Sequence, residues 1–173
     1  TGKPKATCRF APDGTPSGRG YGWLGAFDLD GDGKSEFIIL ADFANHMEVL
    51  GWKDGTLTRH WFHVIENTIT RKQTIFHPGA EPIRDVDGDG KPDIAVSIFN
   101  LSGDEKWHVC VFEAMTGQRL LDLPDQHLEG MADVDGDGVF ELFCTRTAGP
   151  LFGSPTELTV VGLTERGLER QRG

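Results

Sequence analysis

Asp28-Leu29-Asp30-Gly31-Asp32-Gly33-Lys34-Ser35-Glu36 is written twice more in the chain. The second copy is Asp85-Val86-Asp87-Gly88-Asp89-Gly90-Lys91-Pro92-Asp93, and the third is Asp133-Val134-Asp135-Gly136-Asp137-Gly138-Val139-Phe140-Glu141. Each copy carries carboxylates at positions 1, 3, 5 and 9 and glycines at positions 4 and 6. The copies start 57 and 48 residues apart. Self-similarity on that scale is the mark of a repeated supersecondary unit that stacks on its neighbours.

Carboxylates a few ångströms apart repel by roughly 1 kcal/mol per pair in water, and by several times that near a protein surface. Four in one short loop would force it open, and a hard divalent cation reverses the sign of that interaction. Ca²⁺ accepts six to eight oxygens in flexible geometry, from carboxylates, backbone carbonyls and water, whereas Mg²⁺ demands a strict octahedron rich in water. The sequence therefore predicts about three Ca²⁺ sites. Their ligands are Asp28, Asp30, Asp32 and Glu36; Asp85, Asp87, Asp89 and Asp93; and Asp133, Asp135, Asp137 and Glu141. The position-7 residues Lys34, Lys91 and Val139 are assigned to each set through their carbonyls. The glycines let the backbone fold closely around an ion. No Cys or His stands in the loops, which argues against zinc. An EF-hand needs an acid at position 12 and helices on either side, but position 12 is Ile39, Val96 or Cys144.

Each loop runs into a short apolar segment: Phe37–Leu40, Ile94–Ile98 and Leu142–Thr145. Runs this rich in β-branched and aromatic residues read as strands. Beyond them lie strand, glycine-containing turn and strand again: Met47–Trp52, Lys53–Thr56 and Leu57–Trp61; His108–Phe112, Met115–Gln118 and Arg119–Leu123; Leu158–Gly162, Thr164–Gly167 and Leu168–Arg170. These are hairpins. A further strand is expected before each loop, and no amphipathic helix is evident. The expected fold is all-β, built of about three four-stranded blades of a β-propeller. Residues 1–20 form an N-terminal arm or remnant strand, 21–83 the first unit, 84–131 the second, and 132–173 an incomplete third. Three blades do not close a ring, so a larger propeller, self-association or a protein partner is expected to complete it.

The Asp-x-Asp-Gly-Asp-Gly-x-x-Asp/Glu loop followed by an apolar strand resembles the FG-GAP and VCBS-type repeats, over most of the chain from about Tyr21 to Gly167. That resemblance implies propeller blades with Ca²⁺ held between strands, as in integrin α heads and many secreted bacterial proteins. The Gly-Ala-Pro triplet of the FG-GAP branch is missing; Ala41–Phe43, Ile98–Asn100 and Arg146–Ala148 stand in its place, which favours the VCBS-like branch. The implied role is a calcium-binding scaffold for adhesion or ligand binding, secreted or at the cell surface. Calcium-rich rhamnogalacturonan lyases carry similar loops and give the enzymatic alternative, but none of their catalytic positions maps onto this chain.

The net charge of −10, from 27 acids against 17 Lys and Arg, is largely the work of the loops. With no basic patch, a nucleic-acid partner is not expected. No run of 18 apolar residues suggests a transmembrane helix. There is no Gly-x-Ser-x-Gly, His-Glu-x-x-His or phosphate-binding glycine loop, so no catalytic residues are assigned. The histidines, His60 and His63 among them, read as structural or solvent-facing. Trp23, Trp52, Trp61 and Trp107 read as packing between blades, with stacking on a glycan as the other use. Cys110 and Cys144 read as buried free thiols, and a disulfide to Cys8 stays open for a secreted protein.

Overall fold

The computed structural model describes residues 23–41, 46–64, 74–77, 81–100, 103–146, 157–164 and 167–171. Among these residues there are thirteen strands and no helix. The first sheet holds β1 (Trp23–Phe27), β2 (Glu36–Ala41), β3 (His46–Lys53) and β4 (Thr56–Val64), hydrogen-bonded in that order. In the second, β5 (Thr74–His77) and β6 (Ile83–Arg84) share one edge of β7 (Asp93–Asn100), which continues to β8 (Trp107–Glu113) and β9 (Arg119–Pro124). The third runs β10 (His127–Ala132), β11 (Glu141–Thr145), β12 (Leu158–Thr164) and β13 (Gly167–Gln171). Every pairing is antiparallel and none of the three sheets is closed.

Local chemistry explains the connections. Asp54 and Gly55 both have positive φ, 49° and 77°, and join β3 to β4 with Lys53 opposite Thr56. That is the two-residue turn whose twist matches the strands it connects. The registers of β3 with β4 and of β8 with β9 each slip by one residue, at His60 and Leu120. The two places are equivalent in the repeat, so the bulge is a property of the unit.

The sheets pack face to face in chain order. Ile38, Leu40, Met47, Val49 and Trp61 of the first meet Ile94, Val96, Ile98 and Phe112 of the second. On the opposite face of the second sheet, Ala95, Val109, Val111, Leu121 and Leu123 meet Leu128, Leu142, Cys144 and Val161 of the third. Strand β7 is covered on both sides, which is why it reads as an unbroken apolar run and not as an alternation. Among the described residues, each interface carries a buried polar tie. Trp61 Nε1 donates to the Ala114 carbonyl at 2.8 Å, and the Leu128 amide donates to Ser97 Oγ at 2.7 Å. Gly117, at φ 72°, lets the β8–β9 turn lie against that indole; a Cβ there would stand 2.7 Å from Trp61 Cδ2.

Strand pairing places some segments differently from the sequence units. Thr74–His77 falls within 21–83, yet it pairs with β7 of the second sheet. His127–Ala132, mostly within 84–131, is the first strand of the third sheet. The third sheet has a fourth strand, Gly167–Gln171, in register with β12. Trp61 and Trp107 are buried as packing residues, whereas Trp52 is exposed. Cys110 and Cys144 are buried free thiols; burial raises both, that of Cys144 to about 12. Residues 1–20, with Cys8, and the side chain of Trp23 lie outside the described residues.

Candidate metal centre

Each nine-residue copy forms the turn between the first strand edge and the second long strand of its sheet. The three turns share one hydrogen-bond scheme. In the first, Asp28 accepts from the Gly31 and Gly33 amides at 2.9 and 3.0 Å. Asp30 accepts from Asp32 at 3.0 Å and Asp32 from Lys34 at 2.8 Å, while Glu36 reaches back to the Leu29 amide at 2.9 Å. In the second, Asp85 accepts from Gly88 and Gly90 at 2.8 and 2.9 Å, Asp87 from Asp89 at 3.1 Å, Asp89 from Lys91 at 2.8 Å, and Asp93 from Val86 at 3.0 Å. In the third, Asp133 accepts from Gly136 and Gly138 at 2.6 and 3.0 Å, Asp135 from Asp137 at 3.2 Å, Asp137 from Val139 at 2.8 Å, and Glu141 from Val134 at 3.0 Å.

The scheme explains the motif. The position-1 carboxylate needs two amides wrapped around it, and the glycines that supply them all have positive φ, between 76° and 93°. Left-handed backbone at both places favours glycine. The position-9 acid is the buried member: Glu36 is 4% exposed, Asp93 1% and Glu141 8%. It ties the turn to the start of the strand.

Carboxylate oxygens that could hold a metal ion converge within 4.8 Å in all three turns. The sets are Asp28, Asp30 and Asp32; Asp85, Asp87 and Asp93; and Asp133, Asp135 and Asp137. The middle turn uses its position-9 acid where the outer two use position 5. Its Asp89 is held by Lys91 Nζ at 2.7 Å, and that lysine also lies 3.5 Å from Glu113. Asp32 is held likewise by Lys34 Nζ. These hydrogen bonds lower Asp32 and Asp89 below the usual carboxylate range and raise Lys34 and Lys91. Lys34, Lys91 and Val139 each turn their backbone amide to the position-5 carboxylate.

Asp93 carries the largest perturbation in the three turns. Burial pushes its carboxyl up to about 7, and the charges of Asp87, Asp85 and Asp89 add to that push against the opposing hydrogen bond from Val86. Burial also raises Asp87. Negative charge crowded into a partly desolvated turn is the condition that a bound cation relieves.

The turns also engage the sheet-to-sheet contacts through position 2, whose amide the buried acid holds. Leu29 is 2% exposed within the first interface, and Val86 is 0% exposed within the second. Val134 is 50% exposed. The second and third turns touch directly, since the Phe140 amide donates to the Asp85 carbonyl at 2.9 Å. Arg84 lies over the Phe140 ring, 5.2 Å from its centroid.

Comparison with protein-family models, with curated proteins and with solved structures returned no match. Among the described residues no helix is long and apolar enough to cross a membrane. One constellation went unread in the sequence: His108 between Asp104 and Asp122, on strands β8 and β9 and the turn before them. Its members stand up to 18 residues apart, with no spacing to announce them.

Proposed function

We propose that the chain is a calcium-stabilised repeat scaffold in which three Ca²⁺ ions hold the turns that seat each sheet against the next. The observation that carries this reading is the coincidence, at Asp28 and Asp85, of a converging carboxylate cluster with a position-2 side chain, Leu29 or Val86, buried in the following interface. The ligands proposed are the acids at positions 1, 3, 5 and 9 of each turn, with the position-7 carbonyls of Lys34, Lys91 and Val139.

On this reading the three sheets are blades of a VCBS-like propeller, working outside the cell as a scaffold for adhesion or ligand binding. Extracellular calcium modules bind at about 10⁻⁴–10⁻³ M, which suits millimolar external calcium. The outer face of the third sheet supports a role for a partner: Leu158 is 60% exposed there, while Phe143 and Val160 are only partly covered. A further sheet, from a second copy or a protein partner, would cover that face as the third sheet covers the second.

The test is a calcium titration by calorimetry together with thermal melts in calcium and in chelator. Three sites at ten times their Kd add about 4 kcal/mol by mass action, at ~1.4 kcal/mol each. That is a large part of the stability of an ordinary domain. A stoichiometry near three with a large fall in Tm on chelation is expected. No calcium heat and an unchanged Tm would defeat the reading.

A further inference from the structure

The two sheet-to-sheet interfaces are equivalent in register but not in chemistry. Pairing places Trp61 opposite Val49 in the first sheet and Leu121 opposite Val111 in the second. Two residues on, His63 therefore stands where the second sheet has Leu123. Leu121 and Leu123 are each 5% exposed and fill the second interface with aliphatic contacts. At the first interface the same region opens into a cavity of about 790 Å³ between β4 and the outer half of the second sheet.

The second sheet turns a charged cluster toward this cavity. His108 Nδ1 lies 2.7 Å from Asp122 Oδ1, and Nε2 lies 3.0 Å from Asp104 Oδ2. Arg119 Nη1 lies 3.1 Å from Asp122 Oδ2. With a carboxylate at each ring nitrogen, His108 is held as an imidazolium; the hydrogen bond to Asp122 is the first cause of its raised pKa. Both of its nitrogens are engaged, so it is neither a general base nor a metal ligand. Two cations and two carboxylates leave the cluster without net charge. Its spare hydrogen-bonding capacity is mixed: acceptor lone pairs on Asp104 and Asp122, and unused N–H donors on Arg119. Beside it, Ile98 and Phe112 of the second sheet supply an apolar wall, and His63 of β4 faces them with its ring 5.8 Å from that of Phe112.

We propose that this cavity binds a saccharide unit that carries no charge. A sugar hydroxyl donates and accepts at once, which suits carboxylates and a guanidinium on one floor. The C–H face of the ring suits the Ile98 and Phe112 wall. A concave site with apolar walls and a few converging polar groups is the usual form of a small-ligand pocket. A uronate would bring an unpaired negative charge beside Asp104 and Asp122 and is disfavoured.

The site does not depend on the metal reading, because none of its residues belongs to the three turns. The labelled full chain, saturated with calcium, is tested on an array of neutral gluco-, galacto- and manno-oligosaccharides with their uronate-terminated counterparts. The strongest neutral binder is then titrated by calorimetry. Retention of neutral glycans is expected, with uronate-terminated forms at least about tenfold weaker. Asp122→Asn and Arg119→Ala should each weaken binding by about tenfold or more while Tm and the calcium titration stay unchanged. The proposal is overturned if no neutral saccharide is retained, if uronates bind equally well, or if both variants bind as the parent does. A calcium titration on the same samples separates failure of this site from failure of the metal reading.

Discussion

The second and third turns carry the same motif and the same hydrogen bonds, yet they end on different surfaces. In the second, Val86 is sealed between two sheets and the position-9 acid joins the carboxylate cluster. In the third, Val134 faces solvent and the position-9 acid stays outside the cluster. The motif fixes the turn, and the neighbouring sheet decides what the turn is worth. A nine-residue acidic turn gains structural weight when the residue its buried acid immobilises is also a core residue.

The largest expected effect concerns the middle turn without metal. Asp93 has a folded pKa of about 7, well above the ordinary aspartate value, so the native state holds this proton more tightly than the unfolded state. Its contribution to stability is fully present below pH ~4 and is lost as pH rises toward 7, a swing on the order of 4 kcal/mol. In calcium-stripped buffer, urea melts should show the parent losing stability relative to Asp93→Asn across that window. Adding calcium should reverse the ranking at pH 7.5, because the ion recovers the carboxylate and not the amide. Equal pH curves for parent and Asp93→Asn would remove the electrostatic argument for a cation at this turn.

A middle-sized effect separates the two turns at position 1. Asp85→Ala removes the acceptor for two amides and one member of the cluster, in a turn whose backbone also receives the Phe140 amide. Charge-assisted hydrogen bonds are each worth roughly 1.5–3 kcal/mol. Exposure reduces that here, so a loss of about 3 kcal/mol is expected in calcium. Asp133→Ala breaks the same two bonds, but among the described residues no further sheet rests on this turn, and about half that loss is expected. Chemical denaturation of the two variants in calcium checks the ratio, and equal losses would mean that the turns act locally.

The turns and the three strands that follow each of them were legible because their signals are local. The repeated acids, the paired glycines and the Asp54-Gly55 hairpin each specify a conformation within a few residues. The sheet membership of β5 was not legible, because pairing Thr74 with Asn100 is a long-range choice. Nor does the motif show that Asp93 would replace Asp89 in the middle cluster. That exchange goes with the shorter acid at position 9, because the equivalent Lys34–Asp32 ion pair leaves Asp32 in the first cluster. The cavity beside His108 was invisible for the same kind of reason. Only registration of the two sheets reveals that His63 occupies a leucine position.

The smallest expected effect tests the coupling most directly, because it leaves every carboxylate in place. Val86→Ala deletes two methyl groups from a fully buried side chain. The transfer contribution is roughly 0.8 kcal/mol per group, and incomplete collapse of the site adds to it, so about 2 kcal/mol should be lost. Val134→Ala removes the same atoms from the equivalent place in an exposed turn, where substitutions usually stay within about 0.5 kcal/mol. If the turn transmits calcium binding to the interface through position 2, Val86→Ala should also shrink the stabilisation gained on adding calcium. Val134→Ala should leave that gain intact. Urea melts of both variants with and without calcium give all four numbers. If the two valines respond alike to calcium, the ions stabilise only their own turns, and the sheets are held together by the aliphatic interfaces alone.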